Sequence, residues 1–375
     1  MTLIGIDLGS HSASIAVWHD DKNMLEVLAD DLGFRTIPCV VAFRGEETIV
    51  GHSAVSQRHK NAMNTFSEVR SLLFNYEQSH CSVPALEKDM TVEEINSIFF
   101  RNIHNQVKQQ AGKVIRDAVI TVPQPLDEAT KKRYIEAAQH GGIRIKSFLE
   151  DSTAALLAYG FDEPNNHHAS RVLVADLGWS RSTVSVYNIS NGAFNLQGSK
   201  SSTDVCGKIF VKLLSDFCAK EFLKKNKVPV TDNKRAMMRL THECELAIKA
   251  LSTGTEATID IDSLCEGIDY SSKISRARLE DLLSIPVIHF KNLVNNVLKD
   301  LSLTGNSINS ICLSGGPSSM PKFINILKQL LPNATFPKVR FETSEAPAIG
   351  AAVHGKHLFE LVSNLIFLCF LSCFF

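Results

Sequence analysis

Two stretches built in the same way decide the fold: Leu3-Ile4-Gly5-Ile6-Asp7-Leu8-Gly9-Ser10 near the start of the chain, and Arg171-Val172-Leu173-Val174-Ala175-Asp176-Leu177-Gly178 near its middle. Each is an apolar run of strand length that ends in Asp-x-Gly, and each leads through a Ser-containing turn into a second strand of alternating pattern. One such turn is a weak signal, because Asp and Gly are common in ordinary hairpin turns. Two copies indicate a pair of duplicated lobes.

Around these stretches, strand and helix patterns alternate along the chain. A capping box of Thr91 and Glu94 predicts a helix start, and apolar residues at helical spacing continue the helix to Gly112. Strands are predicted at residues 3–6, 15–18, 40–43, 118–122, 171–174 and 311–313, and helices at 126–139, 208–225, 236–251, 276–300 and 321–331. The predicted fold class is α/β.

The bulk composition is that of an ordinary soluble protein: 375 residues, of which 44% are hydrophobic and 21% charged. A formal net charge of −1 provides no field that attracts phosphate, so we expect no direct nucleic-acid binding. The nine cysteines lack Cys-x-x-Cys spacing, which predicts reduced core residues rather than zinc ligands or disulfides. The N-terminus lacks a signal-peptide pattern, so the cytosol is the expected location, with the nucleus as the alternative.

If the lobes are related by pseudo-symmetry, both Asp-x-Gly turns face one cleft. Backbone N–H groups around the glycines could then cradle phosphates, and the carboxylates of Asp7 and Asp176 could hold the waters of a Mg²⁺ ion. A third element, Leu313-Ser314-Gly315-Gly316, follows a strand and precedes a helix, where missing side chains would let a nucleoside lie against the backbone. A lone Gly-Gly means little, but three such elements in order favour a nucleotide cleft.

Several longer motifs resemble the 70-kDa heat-shock chaperone family. They are Gly5-Ile6-Asp7-Leu8-Gly9-Ser10, Ala118-Val119-Ile120-Thr121-Val122-Pro123, residues 154–160, and above all Ile261-Asp262-Ser263-Leu264-Cys265-Glu266-Gly267-Ile268-Asp269 with Ser275-Arg276-Ala277-Arg278. The resemblance runs from about residue 3 to residue 357, the nucleotide-binding domain of the family. It implies the actin-like ATPase fold, with two pseudo-symmetric lobes that each hold a mixed sheet and flanking helices. The implied cofactor is ATP or ADP with Mg²⁺.

The resemblance also implies a role for each matching residue. The implied catalytic residues are Arg70, Asp151 and Asp176, with Asp7 supporting a metal-bound water; Mg²⁺ would be held through water near Asp7 and Asp176, without a direct protein ligand. The implied nucleotide-binding residues are Gly9, Ser10, Gly178, Gly207, Glu245, Lys249, Ser252, Gly315 and Gly316. Without the resemblance, Glu245, Lys249 and Ser252 would be interpreted as a helix face exposed to water.

The chain departs from the family pattern where hydrolysis is expected. Arg70 replaces a lysine that orients the attacking water, and Asp151 is one methylene shorter than the family's glutamate. Small displacements cost much in such chemistry, so we expect nucleotide binding to survive better than hydrolysis.

The second turn and the nucleoside pocket depart further. The family's three glycines, threonine and aspartate are matched by Gly178-Trp179-Ser180, Arg181 and Thr183. Trp179 would crowd the phosphate loop, Arg181 offers a cation, and Thr183 removes a carboxylate. In the nucleoside pocket, Ile248, Pro317, Ser319 and Ser344 stand where the family has Lys, Ser, Arg and Asp.

This pattern resembles the atypical heat shock 70 kDa protein 14 branch, on residues 154–160, 235–238 and 240–241. It implies an ATP-binding regulatory module with slow or no hydrolysis, which assists co-translational folding together with a J-domain partner in a ribosome-associated complex. Two alternatives stay open: a working ATPase chaperone fragment, and a scaffold without nucleotide whose cleft is blocked by Trp179. Sugar kinase chemistry on the same fold lacks an identifiable sugar-site carboxylate.

The predicted domains are lobe I at residues 1–165, lobe II at residues 166–357 with its last helix returning to lobe I, and an apolar tail at residues 358–375. The polar loop at residues 162–166 is the predicted lobe boundary. We expect no peptide-binding domain, and therefore no independent chaperoning of peptides by this form. The tail is interpreted as truncated or alternative coding sequence, a docking helix, or a membrane anchor. The anchor is disfavoured because a spanning helix needs about 20 apolar residues and Glu360 and Asn364 interrupt this one.

Overall fold

The computed structural model describes residues 3–19, 24–112, 114–123, 125–163 and 170–372. The chain divides into two compact units: unit 1 is Met1–His167, Asn191–Ala193 and Val339–Phe375, and unit 2 is His168–Ser190 and Phe194–Lys338. The predicted boundary loop at residues 162–166 lies partly outside the described residues, because residues 164–169 are not among them.

Unit 1 contains one mixed sheet, a three-stranded sheet and a two-stranded sheet, with helices packed around them. Its elements are β1 (Ile4–Leu8), β2 (Ser12–His19), β3 (Met24–Val27), β4 (Ile37–Pro38), β5 (Val40–Arg44), β6 (Glu47–Val50), α1 (His52–Gln57), β7 (Thr65–Ser67), α2 (Val69–Leu72), β8 (His80–Val83), β9 (Lys88–Thr91), α3 (Val92–Ala111), β10 (Asp117–Val122), α4 (Glu128–His140), β11 (Arg144–Glu150), α5 (Asp151–Ala158) and α11 (Ala346–Ser372).

The main sheet of unit 1 places β1 near its centre. The strand order is β11-β10-β1-β2-β3, with β4 beside β2. β1 is antiparallel to β2 and parallel to β10, so that Asp7 lies opposite Ser14 on one side and Thr121 on the other. Ile4, Ile6 and Leu8 are fully buried because they point from β1 into the core. The end of β1 is therefore fixed on both sides before the chain turns at Gly9.

The capping box predicted at residue 91 is confirmed at the start of α3. The Thr91 hydroxyl accepts the Glu94 N–H at 3.1 Å, and the Glu94 carboxylate accepts the Thr91 N–H at 2.7 Å. The helix ends at Gly112, whose φ of 63° lies in the left-handed region that glycine adopts without strain. Local sequence signals therefore set both ends of this helix.

The long helix α11 packs directly on β1 and α5. A Cβ on Gly5 would lie 2.3 Å from the Ala348 carbonyl oxygen, and one on Gly350 would lie 1.8 Å from the Ala154 carbonyl oxygen. Only glycine allows these backbones to approach so closely. Among the helices that the structure describes, none is both long enough and apolar enough to cross a membrane.

Unit 2 contains a second mixed sheet, a long hairpin and helices on their faces. Its elements are β12 (Ser170–Leu177), β13 (Ser182–Ser190), β14 (Ala193–Ser202), α6 (Gly207–Asn226), α7 (Lys234–Thr253), β15 (Glu256–Cys265), β16 (Ile268–Ser275), α8 (Arg276–Leu282), α9 (Ser284–Asp300), β17 (Ser310–Ser314) and α10 (Pro321–Leu330).

The sheet of unit 2 repeats the plan of unit 1 around its first strand. The strand order is β14-β13-β12-β17, with β12 antiparallel to β13 and parallel to β17. Asp176 lies opposite Thr183 and Ser314, as Asp7 lies opposite Ser14 and Thr121. The predicted α/β class and the duplication of a mixed sheet are confirmed.

The helix predicted at residues 276–300 is wrong as a single element. It divides at Leu283 into α8 and α9, and Leu283 has a φ of −85° and a ψ of 10°, outside the helical region. Pro286 explains the break, because it offers no N–H to the carbonyl of residue 282 and its ring would collide with that carbonyl.

The cysteines behave as predicted wherever the structure describes their side chains. Those at positions 39, 81, 206, 218, 244, 265 and 312 are buried free thiols. Within the described residues, no group of three or more His, Cys, Asp or Glu side chains is arranged to hold a metal ion.

Candidate functional site

The first Asp-x-Gly sequence forms a tight turn at the end of β1. The Gly9 N–H donates to the Ser12 carbonyl at 3.1 Å, and a Cβ on Gly9 would lie only 2.5 Å from that oxygen. Any other residue would open the turn. The tight turn therefore requires a residue without a side chain at position 9.

Asp7 is held in place by the neighbouring strand. The fully buried Thr121 hydroxyl donates to Asp7 Oδ1 at 2.7 Å, across the register that pairs these residues in β1 and β10. A hydrogen bond to a carboxylate is charge-assisted and fixes its orientation.

Arg70 lies in α2, a short helix fixed by its neighbours. The Val69 N–H donates to the Cys39 carbonyl at 3.1 Å, and buried Asn96 donates to the Val69 carbonyl at 2.9 Å. The preceding residue, Glu68, has a φ of 54°, which is rare for a residue with a side chain. The backbone therefore holds the start of α2 in one strained conformation.

The Arg70 side chain is buried and already bonded. It is 9% exposed, its Nη1 donates to the Leu8 carbonyl at 2.8 Å, and its guanidinium lies 5.3 Å from the centre of the Phe74 ring. Burial opposes its charge, yet Tyr134, Asp151 and Asp7 outweigh burial and raise the pKa of Arg70. The guanidinium is thus a permanent buried cation at the end of β1.

Sequence reasoning missed two residues beside Arg70. Cys39 donates from Sγ to the Gly9 carbonyl at 3.3 Å, and burial raises the pKa of its thiol. Tyr134 is fully buried, and desolvation raises its pKa to about 12 against the lowering effect of the Arg70 charge. Both looked like apolar core positions, and only their three-dimensional neighbours distinguish them. The apolar face of α4 predicts that Tyr134 is buried but gives no indication of the cation beside it.

The second Asp-x-Gly sequence forms the same turn at the end of β12. The Gly178 N–H donates to the Arg181 carbonyl at 3.0 Å, and a Cβ on Gly178 would lie 2.7 Å from that oxygen. The two turns thus share their length, their hydrogen bond and their need for glycine. The duplication seen in the sequence extends to the turns themselves.

Trp179 covers the start of α6. The first N–H groups of this helix, at Gly207 and Lys208, donate to the carbonyls of Gly178 and Trp179 at 3.0 and 2.9 Å. A Cβ on Gly207 would lie 3.0 Å from Trp179 Cε3, and the indole packs against the core of unit 2. Gly207 therefore accommodates the tryptophan ring, and its N–H is already in use.

Gly315 and Gly316 follow β17 but have different surroundings. Gly315 has a φ of 79°, and a Cβ on it would lie 2.1 Å from the Leu177 carbonyl and 3.2 Å from Asp176 Oδ1. A Cβ on exposed Gly316 would have no atom within 4 Å. Gly315 is thus required by packing, whereas Gly316 leaves open space beside the end of β12.

The three residues predicted on α7 do not act as one group. Glu245 and Lys249 form an ion pair at 2.9 Å, with side chains 13% and 64% exposed. The Ser252 hydroxyl donates to the Ile248 carbonyl within its own helix at 3.1 Å, and Ile248 faces the core. The exposed head of Lys249 fits the alternative of a helix face in water, whereas Glu245 is largely buried.

The predicted site residues thus fall into two groups by unit. In unit 1 the structure gathers Asp7, Gly9, Ser10, Arg70 and Asp151, and in unit 2 it gathers Asp176, Gly178, Gly207, Gly315 and Gly316. Glu245, Lys249 and Ser252 lie on α7 of unit 2, where Glu245 pairs with Lys249 and the Ser252 hydroxyl bonds within the helix. A family model described as Hsp70 protein matches residues 3–368. The chain belongs to the Hsp70 family.

Named Hsp70 relatives cover most of the chain. Heat shock cognate 70 kDa protein 3 of Dictyostelium discoideum is 30% identical over 398 residues, which cover 98% of this chain and 63% of that protein. Heat shock 70 kDa protein 14 of Xenopus tropicalis is 31% identical over 382 residues, which cover 95% of this chain and 74% of that protein. Heat shock 70 kDa protein 2 of Paracoccidioides lutzii is 30% identical over 378 residues, which cover 95% of this chain and 57% of that protein. The chain spans less than two thirds of the first and third of these relatives.

Membership confirms the resemblance stated from the motifs. The Hsp70 nucleotide-binding domain has the actin-like ATPase fold, so the predicted fold class is confirmed, and proteins named heat shock 70 kDa protein 14 are among the relatives. This domain of Hsp70 chaperones binds ATP or ADP, normally with Mg²⁺.

Proposed function

We propose that this chain is a nucleotide-binding regulatory module of a divergent Hsp70 chaperone, which binds ATP or ADP and hydrolyses ATP slowly or not at all. Among the predicted nucleotide-binding residues, Gly178, Gly315 and Gly316 of unit 2 would hold phosphate and nucleoside. Bound nucleotide supplies the free energy that favours one conformation over another. Hydrolysis is not needed for that role.

The state of Arg70 carries this proposal. Arg70 is only 9% exposed and its Nη1 donates to the Leu8 carbonyl at 2.8 Å, so its guanidinium is fixed in the core rather than open to an attacking water. A lysine ammonium could not make the same set of contacts as the planar guanidinium of Arg70. The residue therefore supports a structural role for the cation more strongly than a role in turnover.

Trp179 supports the alternative of a scaffold without nucleotide. Its ring occupies the space over Gly207, where the family's small residues would let phosphate approach the helix N-terminus. In that case the chain would act through protein contacts alone.

Melting of the full chain with and without Mg-ATP and Mg-ADP, beside a phosphate-release assay, separates these functions. We expect both nucleotides to raise the melting temperature while turnover stays at the background of an Asp176→Ala variant. Turnover above that background would support the alternative that the chain is a working ATPase. An unchanged melting temperature with both nucleotides would support the alternative of a scaffold that binds no nucleotide.

A double variant tests why hydrolysis is slow. Arg70→Lys with Asp151→Glu restores the side chains typical of the family, and we expect phosphate release to rise by at least about tenfold. The matched control is Arg144→Lys with Asp117→Glu, which makes the same changes at the exposed ion pair between β10 and β11. Equal rates in the two double variants would show that these substitutions do not limit turnover.

The partner proposal rests on the heat shock 70 kDa protein 14 branch. We propose a J-domain co-chaperone in a ribosome-associated complex of the cytosol, acting on chains during synthesis. Relatives of that name from Xenopus tropicalis and Danio rerio, each 31% identical, support this branch. Co-sedimentation of the tagged full chain with ribosomes is the expected result, and a chain found only in the ribosome-free fraction would contradict it.

A further inference from the structure

The turn after β12 carries a cation and no carboxylate. Its residues are Gly178-Trp179-Ser180-Arg181-Ser182-Thr183, in which Arg181 is the charged side chain. A positive charge at this position can neutralise part of the charge of a bound phosphate, as Mg²⁺ does.

The side chains on the neighbouring strands β13 and β14 are hydroxyls that are bonded to one another. Thr183 Oγ1 lies 2.9 Å from Ser201 Oγ, and one step along the strands Ser185 Oγ lies 2.9 Å from Ser199 Oγ. A hydroxyl engaged in this way is a poor substitute for a carboxylate, because it has no charge to attract a hydrated cation. The β13 and β14 side of the sheet thus offers hydroxyl pairs where a metal-bound water would need an anion.

Asp176 is flanked by neutral groups along the same row. Its register partners are Thr183 on β13 and Ser314 on β17. Ser314 is fully buried, and its hydroxyl has no hydrogen-bond partner among the described residues. Among these three paired residues, Asp176 alone supplies a negative charge.

Arg181 is placed to act on an anion. Its carbonyl fixes the turn by accepting the Gly178 N–H at 3.0 Å, while its side chain is partly exposed. The guanidinium makes no hydrogen bond or ion pair with any residue that the structure describes. A fork of donors on a fixed turn can bind two phosphate oxygens at once.

We propose that Arg181 takes over the charge-neutralising role of Mg²⁺, so that this chain binds ATP and ADP without a divalent cation. The proposal rests on nucleotide binding as proposed above. A divalent cation at this turn would be repelled by the guanidinium and attracted by the single carboxylate of Asp176, whereas the nucleotide gains an ionic partner.

Calorimetric titration of the full chain with ATP and ADP, in excess MgCl₂ and in excess EDTA, tests the proposal. We expect the two Kd values for each nucleotide to differ by less than about threefold. Arg181→Thr should weaken binding in EDTA by at least about tenfold, since it removes a charge-assisted pair. Arg181→Lys should retain part of the affinity, and Arg44→Gln, which removes a surface cation paired with Glu47, should have no effect.

The double variant Arg181→Thr with Thr183→Asp removes the cation and adds a carboxylate, so it should introduce metal dependence, with binding at least about tenfold tighter in MgCl₂ than in EDTA. Binding of the unaltered chain in MgCl₂ but not in EDTA would overturn this inference and leave the proposed function intact. Binding under neither condition would overturn both. If an Arg181→Thr variant melts like the unaltered chain and binds nucleotide with the same Kd, Arg181 does not take part in nucleotide binding.

Discussion

The guanidinium of Arg70 donates from Nη1 to the main-chain carbonyl of Leu8 at 2.8 Å, which joins residues 62 positions apart at the end of β1. The bond ties the end of β1, just before the turn at Gly9, to α2. Asp7 and Asp151 contribute the negative charge that keeps the cation stable in the core. Arg70 is therefore part of the framework of unit 1 at the end of β1.

Arg70→Met tests this structural role. It keeps much of the side-chain volume but leaves Asp7 and Asp151 without their cation, so we expect the free energy of unfolding to fall by about 3 kcal/mol. Denaturant unfolding measures the change. The control is Arg44→Met, because the Arg44 side chain is 67% exposed and should matter little. A loss below about 1 kcal/mol at Arg70 would contradict a framework role.

Trp179→Gly tests whether the indole restricts nucleotide binding. The variant uncovers Gly207, and we expect affinity for ATP to rise by about tenfold even though stability falls with the lost packing. Calorimetric titration measures the affinity. Trp18→Gly is the matched control, because it removes the other tryptophan of the chain, which packs under Lys356 in unit 1. Equal affinity in Trp179→Gly and the unaltered chain would exclude the indole as an obstacle.

Gly315→Ala and Gly316→Ala form a pair with opposite expected outcomes. Gly315→Ala combines a φ of 79° with a Cβ 2.1 Å from the Leu177 carbonyl, so it should cost at least about 2 kcal/mol of stability. Gly316→Ala meets open space and should melt within a few degrees of the unaltered chain, but its methyl group should weaken ATP binding. Thermal melting and titration separate the two effects. A Gly316→Ala variant with unchanged affinity would place the nucleoside elsewhere.

Asp127, the N-cap of α4, predicts a pH dependence in strong acid. Its carboxylate accepts hydrogen bonds from the Tyr76 hydroxyl at 2.5 Å and from the Thr130 N–H at 2.9 Å, which lower the pKa of Asp127 to about 2. A carboxyl with a depressed pKa stabilises the folded state above its ordinary pKa of about 4, and this contribution is lost as pH falls towards about 2. Tyr76→Phe should raise the pKa of Asp127 and move the loss of stability to higher pH.

Carboxyl-carbon NMR titration of Asp127 checks this expectation. Glu128→Gln is the control, since this neighbouring carboxylate is exposed and pairs with Lys131. An unchanged Asp127 pKa in Tyr76→Phe would show that the tyrosine is not the cause of the shift.

Signals close together in sequence predicted much of the fold. These signals determine the structure of residues only a few positions away. The structure confirms the Asp-x-Gly strands, the Thr91 capping box and the helix end at Gly112. The break at Leu283 was missed because the apolar pattern continues through it and only the backbone effect of Pro286 interrupts the helix. The spacing of apolar residues indicates which face of a helix is buried. It does not indicate where a proline lacks the N–H that a continuous helix needs.

The surroundings of the site residues could not be predicted in the same way. That Arg70 bonds Leu8, that Cys39 bonds the Gly9 carbonyl and that Trp179 lies over Gly207 are relations between distant residues, which no local pattern encodes. The family motifs supplied the positions of these residues and not their partners. The role of each residue, and the tail at residues 358–375, stay predictions.

The close packing of α11 against β1 affects the order in which the chain folds as it is synthesised. Gly5 makes its tightest contacts with Ala348 and Ala352, so unit 1 is incomplete until about 180 residues beyond His167 have been added. At about 5–20 residues per second, that wait lasts about 10 to 40 s. Unit 2 consists of residues 168–190 and 194–338, so its last residue is added before Ala348. The half of the molecule that is translated second is therefore the half that finishes first.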